Sequence, residues 1–257
     1  MNTKTLLRRS RQLATLSRNA FAPGTSSMLH LYELLDAVHH AGLPGIDVGE
    51  LSALIRRPAR AADRVVLNPA PRGAGSGSAS EMMVLATLAA TWGPAHVLEF
   101  GTNDGASTWH LWANSPPDCR VTTLDLPAGT KVEGSSDAAL QGIESRAYLP
   151  DDARVRLVEI DSRAWEPDTP GVDFCFIDAG HTYECVKNDT EKALKVLAPG
   201  GLLLWHDAAW RHDNYGVNEY LKQRRAAGDD IRLVHVSRFD YCSIAVRIPA
   251  KPASASA

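Results

Sequence analysis

Residues Val97 to Gly105, reading Val-Leu-Glu-Phe-Gly-Thr-Asn-Asp-Gly, form a short apolar run that ends in a carboxylate and breaks into a glycine-bounded turn before a helix-like segment. A buried strand that stops at such a turn leaves backbone N–H groups pointing into a crevice, and the following helix adds the positive end of its dipole there. Such a crevice suits a nucleotide-like ligand. Asp125 follows 20 residues after Gly105 and closes the next apolar run, Cys119 to Leu124, which fits a second parallel strand carrying a ribose-binding acid. The turn is not built for a dinucleotide. A pyrophosphate cradle needs closely spaced glycines, whereas Gly101 and Gly105 have three residues between them and Glu99 just ahead, a carboxylate that would repel a phosphate. A nicotinamide-dependent dehydrogenase is therefore disfavoured.

The rest of the chain makes the same fold class. Pro69 to Ser80 is rich in Pro, Gly, Ala and Ser and reads as a connection, which divides a helical N-terminal extension with its linker (1–79) from a ligand-binding domain (80–249) and a disordered tail (250–257). In the extension, Ser26 and Ser27 cap a helix that runs through His40, and a shorter helix covers Val48 to Arg56. After the connection, a helix over Ser80 to Thr91 leads into seven strand-like runs: His96–Phe100, Arg120–Asp125, Val155–Ile160, Val172–Asp178, Gly201–His206, Ile231–Val236 and Cys242–Ile248. Helical stretches separate most of them, notably Thr182 to Leu197, so the expectation is an α/β, doubly wound, mostly parallel sheet of seven strands. The last two runs are too close for a crossover, which predicts that the final strand is antiparallel.

Composition sets the class of partner. The 257 residues carry a formal charge of −3 and are 44% hydrophobic, values of a soluble globular protein with no general attraction for nucleic acid. None of the apolar runs approaches the length of a membrane span. Cys119, Cys175, Cys185 and Cys242 are not closely paired, and three of them fall in apolar runs, which fits reduced thiols and a cytoplasmic location. The first 28 residues contain Lys4, Arg8, Arg9, Arg11 and Arg18 and no acid. Two readings stand for this basic helix: a membrane-surface or transit segment, and, favoured, an amphipathic helix packed on the domain or on a homodimer mate.

Acidic residues recur where successive strands end, at Glu99, Asp125, Asp161, Asp178 and Asp207. Any one of them could be a helix cap, but in an open parallel sheet ligands bind outside the carboxyl ends of the strands, so five such residues line one crevice. Trp109, Trp112, Trp205 and Trp210 fall near it, with core packing the default for each and Trp210 the best candidate for a pocket wall.

The stretch Glu99-x-Gly101-x-x-x-Gly105 resembles motif I of the class I S-adenosylmethionine-dependent methyltransferases. Phe176 to Glu184, Leu197 to Gly201 and Trp205-His206-Asp207 are similar to a bacterial branch of small-molecule O-methyltransferases that includes macrolide-sugar enzymes; the likeness spans about residues 80 to 210. That fold has a seven-stranded, Rossmann-like sheet with one reversed strand. The resemblance implies that Glu99, Gly101, Thr102, Asn103, Gly105, Ser107 and Asp178 hold the methionine side of S-adenosylmethionine. It further implies that Asp125 takes the ribose hydroxyls, that Leu126 touches the adenine, and that Asp161 and Ser162 flank the adenine amino group. Catalysis is placed on His181 as general base, with Asp178 and Asp207. A divalent cation, Mg²⁺ or Mn²⁺, is implied on Asp178, His206 and Asp207, although the family often has an acid where this chain has His206, and imidazole suits Mn²⁺ better than Mg²⁺. The acceptor would be a small hydroxylated molecule, a sugar, glycoside or phenol; the alternative is a cofactor-binding domain that has lost catalysis and serves as a sensor or partner subunit.

Overall fold

The computed structural model describes residues 43–57, 62–68, 77–130, 146–168, 170–208, 215–236 and 242–249. The basic segment at the start of the chain, the helix expected through His40, most of the Pro/Gly-rich connection, Trp210 and the tail lie outside them.

Among the described residues eight strands make one sheet. They are β1 (Gly45–Asp47), β2 (His96–Phe100), β3 (Arg120–Asp125), β4 (Val155–Glu159), β5 (Val172–Ile177), β6 (Leu197–Trp205), β7 (Ile231–His235) and β8 (Ala245–Arg247). Their spatial order is β1-β7-β8-β6-β5-β2-β3-β4, with every pairing parallel except those of β8, which runs antiparallel to both β6 and β7. All seven expected strands are present, and the reversed one is the last. The eighth is a correction to the expected count: β1, in the segment read as a helical extension, adds to the edge by pairing Ile46 with Val234. Its three residues carry a single buried side chain, Ile46, too little for a periodicity to register.

Among the described residues five helices cover the two faces: α1 (Val48–Ile55), α2 (Ala79–Trp92), α3 (Ala106–Ala113), α4 (Tyr183–Val196) and α5 (Gly216–Ala226). None of them is long and apolar enough to cross a membrane. Helix α2 starts with a reciprocal capping box between Ser78 and Glu81 and stops at Gly93, whose φ of 61° is left-handed. Alternation within the strands feeds two apolar layers. Val97, Val121, Phe174, Phe176 and Leu204 join residues of α1 to α3 on one face. Leu98, Phe100, Leu124, Cys175, Ile177 and Trp205 join those of α4 and α5 on the other.

The order of strands reverses between β2 and β5, which makes their shared carboxyl end the topological switch point where a crevice opens. The two ends are stitched together: the Asp178 N–H donates to the Phe100 carbonyl at 2.8 Å. Gly101 has a φ of 96°, and a Cβ there would lie 2.0 Å from the Asp178 carbonyl oxygen, so no other residue fits between these strands.

Candidate active site

On the β2 side of the switch point, Glu99 is completely buried. Its Oε2 accepts hydrogen bonds from the hydroxyls of Thr108 (2.5 Å) and Thr123 (2.6 Å), and Thr123 in turn lies 2.6 Å from the Thr102 hydroxyl. The other oxygen, Oε1, has no hydrogen-bond partner among the described residues. Burial pushes this carboxyl up to about 7, against the Ser107, Thr108 and Thr123 hydroxyls, which favour the anion. A buried carboxylate with one unpaired oxygen has capacity left for a further hydrogen-bond donor.

Asp125 closes the adjacent strand. Its Oδ2 accepts from the Asn103 N–H (2.9 Å) and its Oδ1 from the Leu126 N–H (2.8 Å). Asn103, with φ at 47°, is left-handed, which turns its N–H toward the acid. Gly105 caps α3 with φ at 87° and is packed against the Leu149 backbone. Thus Glu99, Gly101, Thr102, Asn103, Gly105, Ser107, Asp125 and Leu126 are gathered around one turn. Asp161 begins the neighbouring loop after β4, where the Ile160 N–H donates to the Asp125 carbonyl. Its carboxylate is held by its own loop through the Arg163 guanidinium (2.5 Å) and backbone N–H (2.9 Å). The Ser162 carbonyl accepts from the Lys192 ammonium.

Across the switch point, Asp178, His181, His206 and Asp207 converge. Side chains on a strand alternate, so His206 and Asp207 can face the same space only if the strand is over. β6 ends at Trp205, and Asp207 takes a left-handed φ of 56° that swings it back. His181 Nε2 lies 2.8 Å from Asp207 Oδ2, and its ring lies flat on Tyr215, 4.4 Å between centroids and 8° from parallel. A cavity lined by Asp178, His181, His206 and Asp207 opens beside this pair.

His206 lies differently from the ligand expected of it. Its Nδ1 is 3.1 Å from Asp178 Oδ1 and 3.3 Å from Asp207 Oδ2, and its Nε2 is 3.3 Å from Glu81 Oε2. Neither Nδ1 contact has hydrogen-bond geometry, so that nitrogen sits in an ionic contact between two carboxylates. Burial opposes a charge on the ring, but Asp178 and Asp207 outweigh it and hold the imidazole well above its ordinary range, as an imidazolium. Burial raises the Asp178 carboxyl, assisted by Asp207 and opposed by His206 and His181. Asp178, His181 and Asp207 offer one ligand atom each within 4.8 Å of one another, a mixed oxygen and nitrogen set that fits a divalent cation, with His181 in the place expected of His206.

Sequence reasoning missed Glu81, Tyr215 and Arg146. The capping box joins Glu81 to Ser78, and nothing in the spacing of that pair says that the same carboxylate reaches His206. Of the tryptophans, Trp205 is core, its indole N–H donating to Thr190 Oγ1. Trp109 and Trp112 line a separate open groove with Tyr148.

A crevice at the switch point of a sheet with this order, with its reversed last strand, defines a methyltransferase fold of class I. Residues 98–208 match the family described as a methyltransferase domain. A comparison with curated protein sequences finds no match. Among solved structures the fold is similar to that of a Klebsiella pneumoniae protein provisionally described as an O-methyltransferase, with 18% identity, 90% of this chain and 94% of that one covered, and a TM-score of 0.51. It is also similar to the S-adenosylhomocysteine-bound methyltransferase PaMTH1 of Podospora anserina, with 13% identity, 69% and 81% coverage, and a TM-score of 0.51.

Proposed function

We propose that the protein transfers a methyl group from S-adenosylmethionine to a hydroxyl oxygen of a small acceptor, a sugar, glycoside or phenol. The observation that carries this reading is the pairing of two half-sites across one switch point: Glu99 and Asp125 on one side, and the His181–Asp207 pair 2.8 Å apart on the other. The donor supplies a methyl already activated by its sulfonium charge. The open Oε1 of Glu99 suits that cationic end, and Asp125 suits a ribose diol.

The residues across the crevice then have one task, to remove the acceptor's proton. Asp207 accepts the Nε2 proton of His181, which fixes the tautomer in which Nδ1 is the basic atom, and Tyr215 fixes the plane of the ring. His181 takes the acceptor hydroxyl proton through Nδ1 as the oxygen attacks. The imidazolium of His206 offsets part of the charge of Asp178 and Asp207, so that the crevice does not repel an oxygen that is becoming an anion. A divalent cation on Asp178, His181 and Asp207 would instead lower the hydroxyl's pKa directly. That use and the base role exclude one another, because a metal on Nε2 leaves the proton on Nδ1. The cofactor-binding protein without catalysis has less need of this acceptor-side set.

The test is incubation with methyl-labelled S-adenosylmethionine and a panel of sugars, glycosides and phenols. Label on a hydroxyl oxygen, with one S-adenosylhomocysteine formed per transfer, is expected. Binding without transfer across the panel would favour the sensor, and no binding of either compound would end the reading.

A pH dependence follows from Glu99. With its carboxyl at about 7 in the free protein, the anion that attracts the cationic cofactor is scarce at pH 6 and predominant at pH 8. Affinity for S-adenosylmethionine should therefore rise with pH over this range, by up to about tenfold, the ratio of ionised fractions. Glu99→Gln should bind more weakly at pH 8 and lose most of the slope in calorimetric titrations; an unchanged slope would separate Glu99 from the effect.

A further inference from the structure

Arg146 is an arginine in an unexpected place. Its side chain is 11% exposed, and its Nη1 donates to Asp125 Oδ2 at 2.6 Å and to the Asn103 carbonyl at 3.0 Å. Its Nη2 donates to the Leu126 carbonyl at 3.2 Å and lies 3.5 Å from Glu159 Oε1. The guanidinium thereby bridges the turn after β2 and the turn after β3, the two walls between which the acid at the end of β3 faces its ligand. The backbone behind it is anchored on the same turn: the Tyr148 N–H donates to the Asp104 carbonyl at 2.9 Å, and Leu149 packs on Gly105.

The acceptor capacity of Asp125 decides what this means. A carboxylate has about four lone-pair sites, two on each oxygen. Oδ2 already takes the Asn103 N–H and the Arg146 guanidinium, and Oδ1 takes the Leu126 N–H. A ribose diol that binds both oxygens brings two further O–H donors, which makes five for four sites and leaves none on Oδ2. The two backbone donors belong to the turns themselves. The side-chain donor is the one that can leave, and the Asn103 and Leu126 carbonyls it would release lie next to the acid.

We propose that Arg146 is an internal competitor for the ribose-binding carboxylate of Asp125, so that the cofactor binds by displacing the guanidinium. This rests on the reading of Asp125 as the ribose acid. The contact lowers apparent affinity by the fraction of molecules in which Arg146 is docked, and it keeps the acid paired while the crevice is empty. It also makes departure of the product cofactor easier, since the guanidinium returns as the diol leaves.

The test is calorimetric titration of S-adenosylhomocysteine into the wild type, Arg146→Met, Asp125→Asn and the double variant. Arg146→Met is expected to bind about fivefold to tenfold more tightly than wild type. In the Asp125→Asn background the same change should have no such effect, because there is no charge left to compete for. Equal or weaker binding by Arg146→Met, with the wild type binding normally, would overturn the competitor and make Arg146 a strut of the site. Absence of binding in the wild type would instead remove the reading of Asp125 itself. Trypsin gives a second measurement on the unaltered protein: cleavage after Arg146 should accelerate when S-adenosylhomocysteine is bound and the side chain is released. Protection or an unchanged rate at that bond would count against displacement even if the variant does not fold.

Discussion

Replacing His181 by alanine is expected to lower the rate of methyl transfer by about 10²- to 10⁴-fold, the usual contribution of a positioned general base, while the dissociation constant for S-adenosylmethionine moves less than about twofold. The separation follows from where the residue sits. His181 lies two residues ahead of α4 and makes its 2.8 Å contact with Asp207, two residues past β6, whereas the proposed cofactor groups Glu99 and Asp125 are the penultimate residue of β2 and the last of β3. Loss of the ring leaves those groups as they are. Stopped assays with saturating cofactor measure the first quantity and calorimetry the second. Unchanged turnover would take His181 out of the mechanism, and a large loss of cofactor affinity would move it to the binding site. Asp207→Asn should show a loss of comparable size, because the amide can turn its NH2 toward Nε2 and hold the ring in the tautomer whose proton is on Nδ1, which leaves no base facing the acceptor. The same assays with a chelator and with added Mn²⁺ separate the two uses of the imidazole: a proton-accepting His181 works with the chelator present, whereas a ligating one needs the metal.

The frame of this fold was legible because its strands are buried on both faces and therefore continuous. β2 and β3 were bounded to the residue, since each is an apolar run that stops at a carboxylate and a turn. The reversed strand was legible from connection length alone. β1 was not, because a three-residue edge strand has no room for a pattern, and the first four residues of β6, Leu197-Ala198-Pro199-Gly200, carry the composition of a turn. In the site, the acids at strand ends could be placed because the topology of a parallel sheet brings such ends together. The partners that reach them from elsewhere could not. Arg146 comes from the far end of a connection, Tyr215 from the residue ahead of α5, and Glu81 from a helix on the opposite side of the sequence from Asp207. His206 shows the limit in a single residue: the sequence puts it beside Asp207, but not the contact of its other nitrogen with Glu81, 3.3 Å away, from a helix 125 residues earlier.

Glu81→Ala is expected to destabilise the protein by about 3–5 kcal/mol, the range for breaking a buried ion pair from one side. The side chain is 1% exposed. Its Oε1 accepts from the Ser243 N–H (2.8 Å) and hydroxyl (2.5 Å), and its Oε2 accepts from the Ser78 N–H (2.6 Å) and lies 3.3 Å from His206 Nε2. Alanine would leave two buried donors of Ser243, the half-buried Ser78 N–H and one side of an imidazolium unanswered, and it would undo the capping box of α2, itself worth about 1 kcal/mol. The loss should depend on pH with a definite sign. Burial opposes ionisation of Glu81, but His206, Ser243 and Ser78 outweigh it and lower its carboxyl far below the ordinary 4.5, so its contribution is present above 4.5 and fades as the pH falls. His206 is raised above its ordinary 6.5, so its contribution is complete below 6.5 and is lost as the pH climbs through the raised value. The penalty of Glu81→Ala should therefore be largest between about 4.5 and 6.5, the interval in which both partners are charged in the fold. Urea denaturation of Glu81→Ala, His206→Ala and the double variant at pH 6 and pH 9 reads both claims. The double variant should lose less than the sum of the single ones by about 1–3 kcal/mol at pH 6 and by less at pH 9. Additive losses at both pH values would mean that Glu81 only caps a helix, and that His206 owes its charge to Asp178 and Asp207 alone.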